Sequence, residues 1–326
     1  TGYPNNVSVL SYDFRAPIRQ FGQISDTYQE IKLLALFAKD FGEDLVTLPA
    51  EIDPVGVNPE DMHTLRLSWR HDERHGYVFF NNYQRKRRMD DHGGMILEGR
   101  YKEAPVEFPK LDIPSGSYGF FPYHLREGDS ELISANATPL CRLRGENGTI
   151  CVVFYGDWDP AFVWKDEKHF PILHLDRKQA LQAWKVTLDQ DYLILSDDYV
   201  WEENGKLHIE GEKDIVIRCY PKLKEFSVLP DGFEACGRDQ EFALYRRREK
   251  AENTRVTVTE ENRDADSRIY DLKITSPGTW RDTILSLDFG GDKIEIFRDG
   301  EMITDSYYTG EPVQISLRYF DFPEEL

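Results

Sequence analysis

The stretch that decides the fold is Leu132-Ile133-Ser134-Ala135-Asn136-Ala137-Thr138-Pro139-Leu140-Cys141-Arg142-Leu143-Arg144-Gly145-Glu146-Asn147-Gly148-Thr149-Ile150-Cys151-Val152-Val153-Phe154-Tyr155. Two apolar arms, 132–143 and 150–155, flank Glu146-Asn147-Gly148. Asn-Gly between apolar runs is a hairpin signal, because both residues tolerate the positive φ of a tight turn. The pattern repeats outward. Residues 64–69 alternate through Leu65, Leu67 and Trp69, and 76–80, 95–97, 106–108, 111–113 and 120–123 are strand-sized apolar pieces. Downstream, 170–175, 192–195 and 215–220 continue it, and 200–201 pairs with 207–209 across Asn204-Gly205. After a charge-rich stretch at 246–268, read as a boundary or exposed connection around one possible strand at 256–258, come 269–274, 283–289, 294–297 and 313–320. Turns every ten residues or so and no sustained helical period predict a mainly β protein, with antiparallel sheets packed as β-sandwich or jelly-roll domains.

The exception lies near the start. From Asp26, residues Tyr28, Ile31, Leu34, Ala35, Ala38 and Phe41 recur at spacings of three and four, with Leu33, Leu36 and Phe37 widening the stripe. This predicts a helix capped by Ser25 or Asp26 and stopped by Gly42. Before it, Val7, Val9 and Leu10 form an apolar run ending in a polar-aromatic tip, Ser11-Tyr12-Asp13-Phe14-Arg15, that turns at Ala16-Pro17. A strand, a tip and a helix apolar on more than one side read as one βα unit of a larger body. A second helical piece is expected at 178–185.

With 59 acidic and 40 basic residues, the chain carries a net charge of −19. Nucleic acid and anionic membranes are therefore excluded as expected partners, since most of the surface would repel them. No apolar run approaches the ~20 residues of a membrane span, and Thr1-Gly2-Tyr3-Pro4 has no signal-peptide character. Cys141, Cys151, Cys219 and Cys236 show no C-x-x-C spacing and sit in strand-like surroundings, which predicts buried free thiols. The sequons at Asn6, Asn136 and Asn147 matter only for a protein secreted from a eukaryote.

Several constellations compete with simpler readings. Asp157 and Asp159 flank Trp158 and can face one glycosidic bond, but Gly156, the two aspartates and Pro160 also make a β-turn, the favoured reading. His71, His75 and His92 with Asp72, Asp90 and Asp91 are metal-capable, yet no helix aligns them, so a solvated loop is expected. Arg85 to Arg88 is basic but runs into Asp90 and Asp91, which suits a solvated hairpin face. Trp164, Trp184, Trp201 and Trp280 are candidate sugar platforms, with core anchoring as the simpler role. No nucleophile elbow, phosphate loop or dinucleotide fingerprint occurs. Read from its residues alone, the chain shows no catalytic site, metal site or cofactor.

The tip Leu10-Ser11-Tyr12-Asp13-Phe14-Arg15-Ala16-Pro17-Ile18 resembles the Thr-Ser-Tyr-Asp-Tyr-Asp-Ala-Pro-Leu signature of glycoside hydrolase family 35, the β-galactosidases. Further resemblances follow in order. They are Tyr28-Gln29-Glu30-Ile31-Lys32-Leu33-Leu34, Phe79-Phe80-Asn81-Asn82-Tyr83-Gln84, Leu173-His174-Leu175-Asp176-Arg177-Lys178-Gln179-Ala180 through Trp184, Tyr192-Leu193-Ile194-Leu195-Ser196 with Leu207-His208-Ile209, and Tyr308-Thr309-Gly310-Glu311-Pro312. The resemblance implies that the chain begins with the last strand–helix unit of a (β/α)₈ barrel, whose catalytic glutamates lie on earlier strands. The family's acid lies in an Asn-Glu pair, and this sequence has no such dipeptide. Catalytic residues are accordingly expected to be none. Tyr12, Asp13 and Phe14 are the implied substrate-binding residues. Phe14 stands where the family has a tyrosine whose hydroxyl contacts the sugar, and Arg15 replaces an acidic residue.

The resulting expectation has three parts: 1–48 as the barrel's last unit, 49–250 as sandwich-type antiparallel β structure, and 251–326 as a jelly-roll-like β domain. The expected function is that of the non-catalytic C-terminal portion of a bacterial β-galactosidase-like hydrolase. Its partner would be a galactose-containing carbohydrate met through the parent enzyme, with homo-oligomer contacts and the bacterial cytoplasm as the favoured setting. The alternatives are a stand-alone carbohydrate-binding module and a structural or interaction protein. Without barrel neighbours, Ile31, Leu34, Phe37 and Phe41 would expose a large apolar patch, so the helix is expected to pack on the first β domain or on a partner chain.

Overall fold

The structure is a computed structural model and describes residues 8, 10–11, 16–101, 104–211, 214–248, 255–263, 267–275, 282–322 and 326. It is mainly β, as expected, with two α-helices, Asp26–Thr47 and Arg177–Leu181, among the described residues. The chain divides into two compact units. One is Glu30–Arg248, and the other joins Thr1–Gln29 to Glu249–Leu326.

The larger unit is a stack of layers. A six-stranded antiparallel sheet runs Ala50–Ile52, Arg66–His71, Gly76–Asn81, Tyr118–Glu127, Ser130–Ala135 and Phe162–Trp164. The expected hairpin forms the next layer, Thr138–Arg144 against Ile150–Tyr155. The arm read as one run, 132–143, is two strands in different sheets, since residues 136–137 carry the chain from one layer to the next. Ile172–Leu175 then joins Ile150–Tyr155 in parallel, a departure from the all-antiparallel expectation. Parallel pairing needs a long crossover. Residues 156–171 supply it and contribute the edge strand Phe162–Trp164 on the way.

A five-stranded sheet follows in the order Ala183–Thr187, Asp191–Leu195, Asp214–Tyr220, Phe242–Arg248, Phe233–Asp239. Here the reading of 246–248 as a connection fails. Phe242–Arg248 is an inner strand, with Ala243 and Tyr245 in the core and Arg246 paired to Asp214 at 3.1 Å. The helix expected over 178–185 stops at Leu181, where Trp184 turns into the strand Ala183–Thr187. Its start is sharper than expected. Asp176 accepts from Gln179 N at 2.7 Å while the Gln179 side chain accepts from Asp176 N at 3.0 Å, a reciprocal cap.

Apolar residues fill each gap between layers. Tyr77, Phe120, Val152 and Phe154 pack together between the six-stranded sheet and the hairpin layer, while Cys151, Val153, Leu193 and Leu195 pack between that layer and the five-stranded sheet. On the outer side of the six-stranded sheet, Trp69, Val78, Phe121 and Tyr123 are covered by Leu97, Phe108 and Ile113. Strands normally alternate faces with a period of two. Tyr118–Glu127 breaks the rule, since Tyr123 joins the outer core and Leu125 the inner one. The switch occurs at His124, whose φ of 52° is left-handed. Its ring is held by Glu131 at 2.7 Å and stacked on Tyr101 at 4.2 Å. Burial would raise the Glu131 carboxyl, but hydrogen bonds from His124, Lys165 and Arg126 outweigh it and hold it down to about 2.

The helix Asp26–Thr47 packs on this β body, as expected, through only part of the expected stripe. It buries Lys32, Leu33, Phe37 and Phe41, and leaves Ile31 and Leu34 exposed. Nor does Gly42 end it. Glycine inside a helix costs only about 1 kcal/mol, and the next turn places Leu45 against the inner core, with Leu48 buried and Pro49 closing the run. Asp40 fixes the azimuth. Its carboxylate, 3% exposed, accepts from Arg142 N at 2.8 Å and Lys185 Nζ at 2.8 Å, while its carbonyl accepts from the Arg142 guanidinium. Arg142 also lies 3.9 Å from the Phe41 ring centroid.

Among the described residues, the smaller unit holds three antiparallel strand pairs: Arg255–Arg263 with Arg268–Thr275, Ile284–Leu287 with Val313–Ser316, and Lys293–Arg298 with Glu301–Tyr307. Its core gathers Ile274, Leu285, Ile296, Ile315 and Leu317, with Phe21 packed against it.

Two substitutions test this architecture. Asp40→Ala removes the nearer carboxylate of buried Lys185, which keeps Asp191 at 3.4 Å, together with the acceptor of Arg142 N. Loss of these charge-assisted bonds is expected to cost about 1.5–3 kcal/mol in urea unfolding, and a loss below about 1 kcal/mol would contradict the buried clasp. At Gly76 an added Cβ would stand 2.4 Å from Tyr123 Oη and 2.6 Å from Tyr123 Cζ. Gly76→Ala should therefore cost about 1–3 kcal/mol by overpacking, read as a lowered urea midpoint.

Candidate functional site

The tip residues Tyr12, Asp13, Phe14 and Arg15 lie outside the described residues. Their flanks are held by long-range contacts. Asp305, 1% exposed, accepts from Leu10 N at 2.9 Å and Ser11 N at 2.8 Å, and lies 3.3 Å from Lys293 Nζ. After the tip, the Ser25 hydroxyl donates to Ala16 O and Pro17 O, both at 3.3 Å, and Ile18 bridges Ile24. The buried aspartate on the strand Glu301–Tyr307 thus orients the approach to the tip, a pairing nearly 300 residues apart that no local pattern announces.

Within the larger unit, an open groove of about 740 Å³ runs between the helix and the six-stranded sheet. This volume falls in the range of small-ligand sites. Leu34, Phe37 and Leu45 form the helical wall, Phe79 and Phe120 the floor, and Tyr83 and Tyr118 the rim. The period of two puts Phe79 and Phe120, directly opposite in register, on the same face, and their rings stack at 5.3 Å. Beside Phe120, Gly119 has no room for a side chain, because a Cβ there would meet the Phe80 ring at 3.0 Å.

Three of the groove's polar side chains hold nearby backbone groups. Arg66 donates to Tyr83 O at 2.9 Å and Asp61 O at 3.3 Å. Asp53 accepts from Val55 N at 2.9 Å, and Asn81 Oδ1 accepts from Tyr83 N at 2.7 Å. Asp53 is the one carboxylate among the lining residues. Two facing carboxyl groups, the requirement for glycosidic cleavage, are therefore not assembled there. Near Tyr118, the Arg177 guanidinium donates to both Glu30 oxygens, at 2.9 and 2.7 Å, and to the Tyr118 hydroxyl at 3.3 Å.

The other sequence candidates separate. Asp157 and Trp158 form a bend, and Trp158 donates to Asp112 O at 2.6 Å with its ring edge-on to Phe80 and Phe121. It is a packing residue. His71 meets Glu51 at 3.1 Å, whereas His75 bonds Asp44 of the long helix at 2.8 Å, which raises the His75 pKa. His75 is thus a link to the helix rather than part of a solvated loop. No group of three or more metal-capable side chains occurs among the described residues. Arg87 pairs with Glu60 and Arg88 with Asp91 on an exposed turn, as expected.

Trp164 stacks on His169 at 4.3 Å, Trp184 lies under Lys32, and Trp201, 37% exposed, stacks on His208 at 5.2 Å. Trp280 lies outside the described residues. Cys141, Cys151 and Cys219 are buried free thiols, and burial pushes Cys151 up to about 11. Cys236 is the correction, being exposed on the edge strand Phe233–Asp239, where only one sheet neighbour exists.

No helix among the described residues is long and apolar enough to cross a membrane. No protein-family model matches the chain, and no curated protein matches it.

The groove's two walls predict different responses. Phe37→Ala removes a buried ring and should cost about 3–5 kcal/mol. Leu34→Asp, on a residue 59% exposed, should change stability by less than about 0.5 kcal/mol. Equal losses in thermal or urea unfolding would show that Leu34 is covered in solution.

Proposed function

We propose that this chain is the non-catalytic C-terminal portion of a β-galactosidase-like glycoside hydrolase, whose catalytic barrel supplies the two glutamates. The observation that carries the reading is the meeting of two landmarks of the family resemblance. Glu30, in Tyr28-Gln29-Glu30-Ile31-Lys32-Leu33-Leu34, takes a bidentate ion pair from Arg177, in Leu173-His174-Leu175-Asp176-Arg177, 147 residues away. Lys32 of the first landmark lies 3.6 Å from the ring centroid of Trp184 of the second. Asn82, in a third landmark, is fully buried and donates to Asp90 O at 2.8 Å and Ile113 O at 3.2 Å. Residues scattered along the sequence thus hold the helix and sheets in one arrangement.

In this reading the β layers buttress the barrel, and the exposed face of the helix with the adjoining groove lies toward it. Galactose-containing substrate would be met by the whole enzyme, with Tyr12, Asp13 and Phe14 at one wall of its pocket. The groove in the larger unit favours an apolar neighbour over a sugar. Its wall and floor are apolar, through Leu34, Phe37, Leu45, Phe79 and Phe120, whereas a sugar needs several hydrogen-bonding groups beside an aromatic face, and Arg66 already serves backbone carbonyls.

The chain alone should leave a chromogenic β-galactoside unhydrolysed and give no calorimetric heat with millimolar galactose. Turnover that a galactose-type inhibitor abolishes would overturn the non-catalytic assignment. Saturable heat with galactose, without turnover, would favour a carbohydrate-binding module instead.

A further inference from the structure

We infer that Lys32 makes the docking of the helix's residues 30–36 proton-dependent, so that these turns are held against the strand Ala183–Thr187 most tightly when the Lys32 amine is neutral. The inference concerns this interface alone and does not depend on the proposed enzymatic parentage.

The geometry is that of an amine sealed in without a counter-charge. Lys32 is 8% exposed, and its Nζ is buried with no hydrogen-bond partner among the described residues. It sits 3.6 Å from the Trp184 ring centroid. The ring is fixed in place, because Trp184 Nε1 donates to Ser196 O at 3.1 Å and the residue is registered opposite Ile194. Lys185, the next residue on that strand, shows the contrast. Its side chain is as buried as that of Lys32, but it meets Asp40 at 2.8 Å and Asp191 at 3.4 Å.

The charged groups on the surrounding elements are committed elsewhere. On the helix, Glu30 is taken by Arg177 and Asp40 by Lys185 and Arg142. Asp191 accepts from Thr187 and Arg144, Asp197 accepts from Gln182, and the Asp198 carboxylate accepts from the Ser196 hydroxyl at 3.5 Å. None of them reaches the amine, and burial is the one influence on its proton, lowering its pKa from 10.5 to about 7. The ring face attracts a cation, yet one aromatic face replaces little of an ammonium's hydration, so desolvation wins.

The sign follows from linkage. Once residues 30–36 lift away, Lys32 is in water and binds its proton up to about pH 10.5. Between pH 7 and 10.5 the open form is protonated where the docked form is not, so docking tightens as pH rises, by at most about tenfold per unit. Below about 7 both forms carry the proton and docking is at its weakest. The remainder of the helix stays in place through Phe37, Phe41 and Asp40, which lets the first turns respond locally.

Amide hydrogen exchange of residues 30–36 in the whole chain, corrected for intrinsic rates, tests this from pH 6 to 9.5. Wild-type protection should rise about five- to tenfold per unit between pH 7 and 9 and level off below 7. In Lys32→Met the same amides should be better protected at pH 7, with no slope. Direct NMR titration of the Lys32 side chain supplies an independent reading that needs no variant, with its transition expected near 7. A flat wild-type profile, an equal slope or lower protection in Lys32→Met, or a Lys32 transition near the ordinary 10.5 would each overturn the inference.

Discussion

The carboxylate of Asp40 is the constraint on which the larger unit's arrangement rests. Three elements end on it: the helix that carries it, the strand Thr138–Arg144 through Arg142 N, and the strand Ala183–Thr187 through Lys185 Nζ. Those strands belong to different sheets, so one side chain sets the helix against two layers at once. Hydrophobic burial alone would not choose this orientation, because the helix is apolar on more than one side. Directional contacts to a buried charge decide it, and they turn Leu33, Phe37 and Phe41 inward while leaving Ile31 and Leu34 out.

The same interface shows how far one position changes the electrostatics of a lysine. Lys185 has carboxylates on hand and keeps an ion pair in the core, whereas Lys32 has only an indole face. An unpaired buried charge costs more than a ring face returns. The first turns of the helix are consequently its electrostatically expensive end, and the turns around Asp40 its anchored end. His124 resolves a different conflict. Two cores lie on opposite sides of one strand, and a left-handed residue lets Tyr123 serve one and Leu125 the other.

Much of the β architecture was legible because its signals are local. Asn147-Gly148 and Asn204-Gly205 mark hairpins through backbone conformation, and runs such as Ile150–Tyr155 mark strands through composition. What escaped is set by distant partners. The parallel pairing of Ile172–Leu175 depends on a crossover, and the inner position of Phe242–Arg248 was hidden by arginines at its end, whose charges face outward beside Asp214. The helix stripe reads too wide in the sequence, because periodicity weighs Ile31 and Leu34 like Leu33 and Phe37, while Asp40 and Lys32 look like ordinary surface charges. Asp305 and the Leu10 and Ser11 amides it holds are paired from opposite ends of the chain. The apolar groove had no motif either, since Phe79, Phe120 and Leu34 come from three separate elements.

These placements bear on how the family resemblance should be read. Asp176 caps a helix, Arg177 clasps Glu30, Asn82 ties two loops to a sheet end, and Trp184 packs under Lys32. Each of these residues performs a folding task, and none of them lines an acid–base site. A pattern made of such residues can persist wherever the scaffold persists, whatever chemistry a neighbouring domain performs. The resemblance therefore speaks most directly to architecture. Its bearing on sugar chemistry passes through Tyr12, Asp13 and Phe14, and at Phe14 the chain lacks the phenol hydroxyl of the signature's second tyrosine.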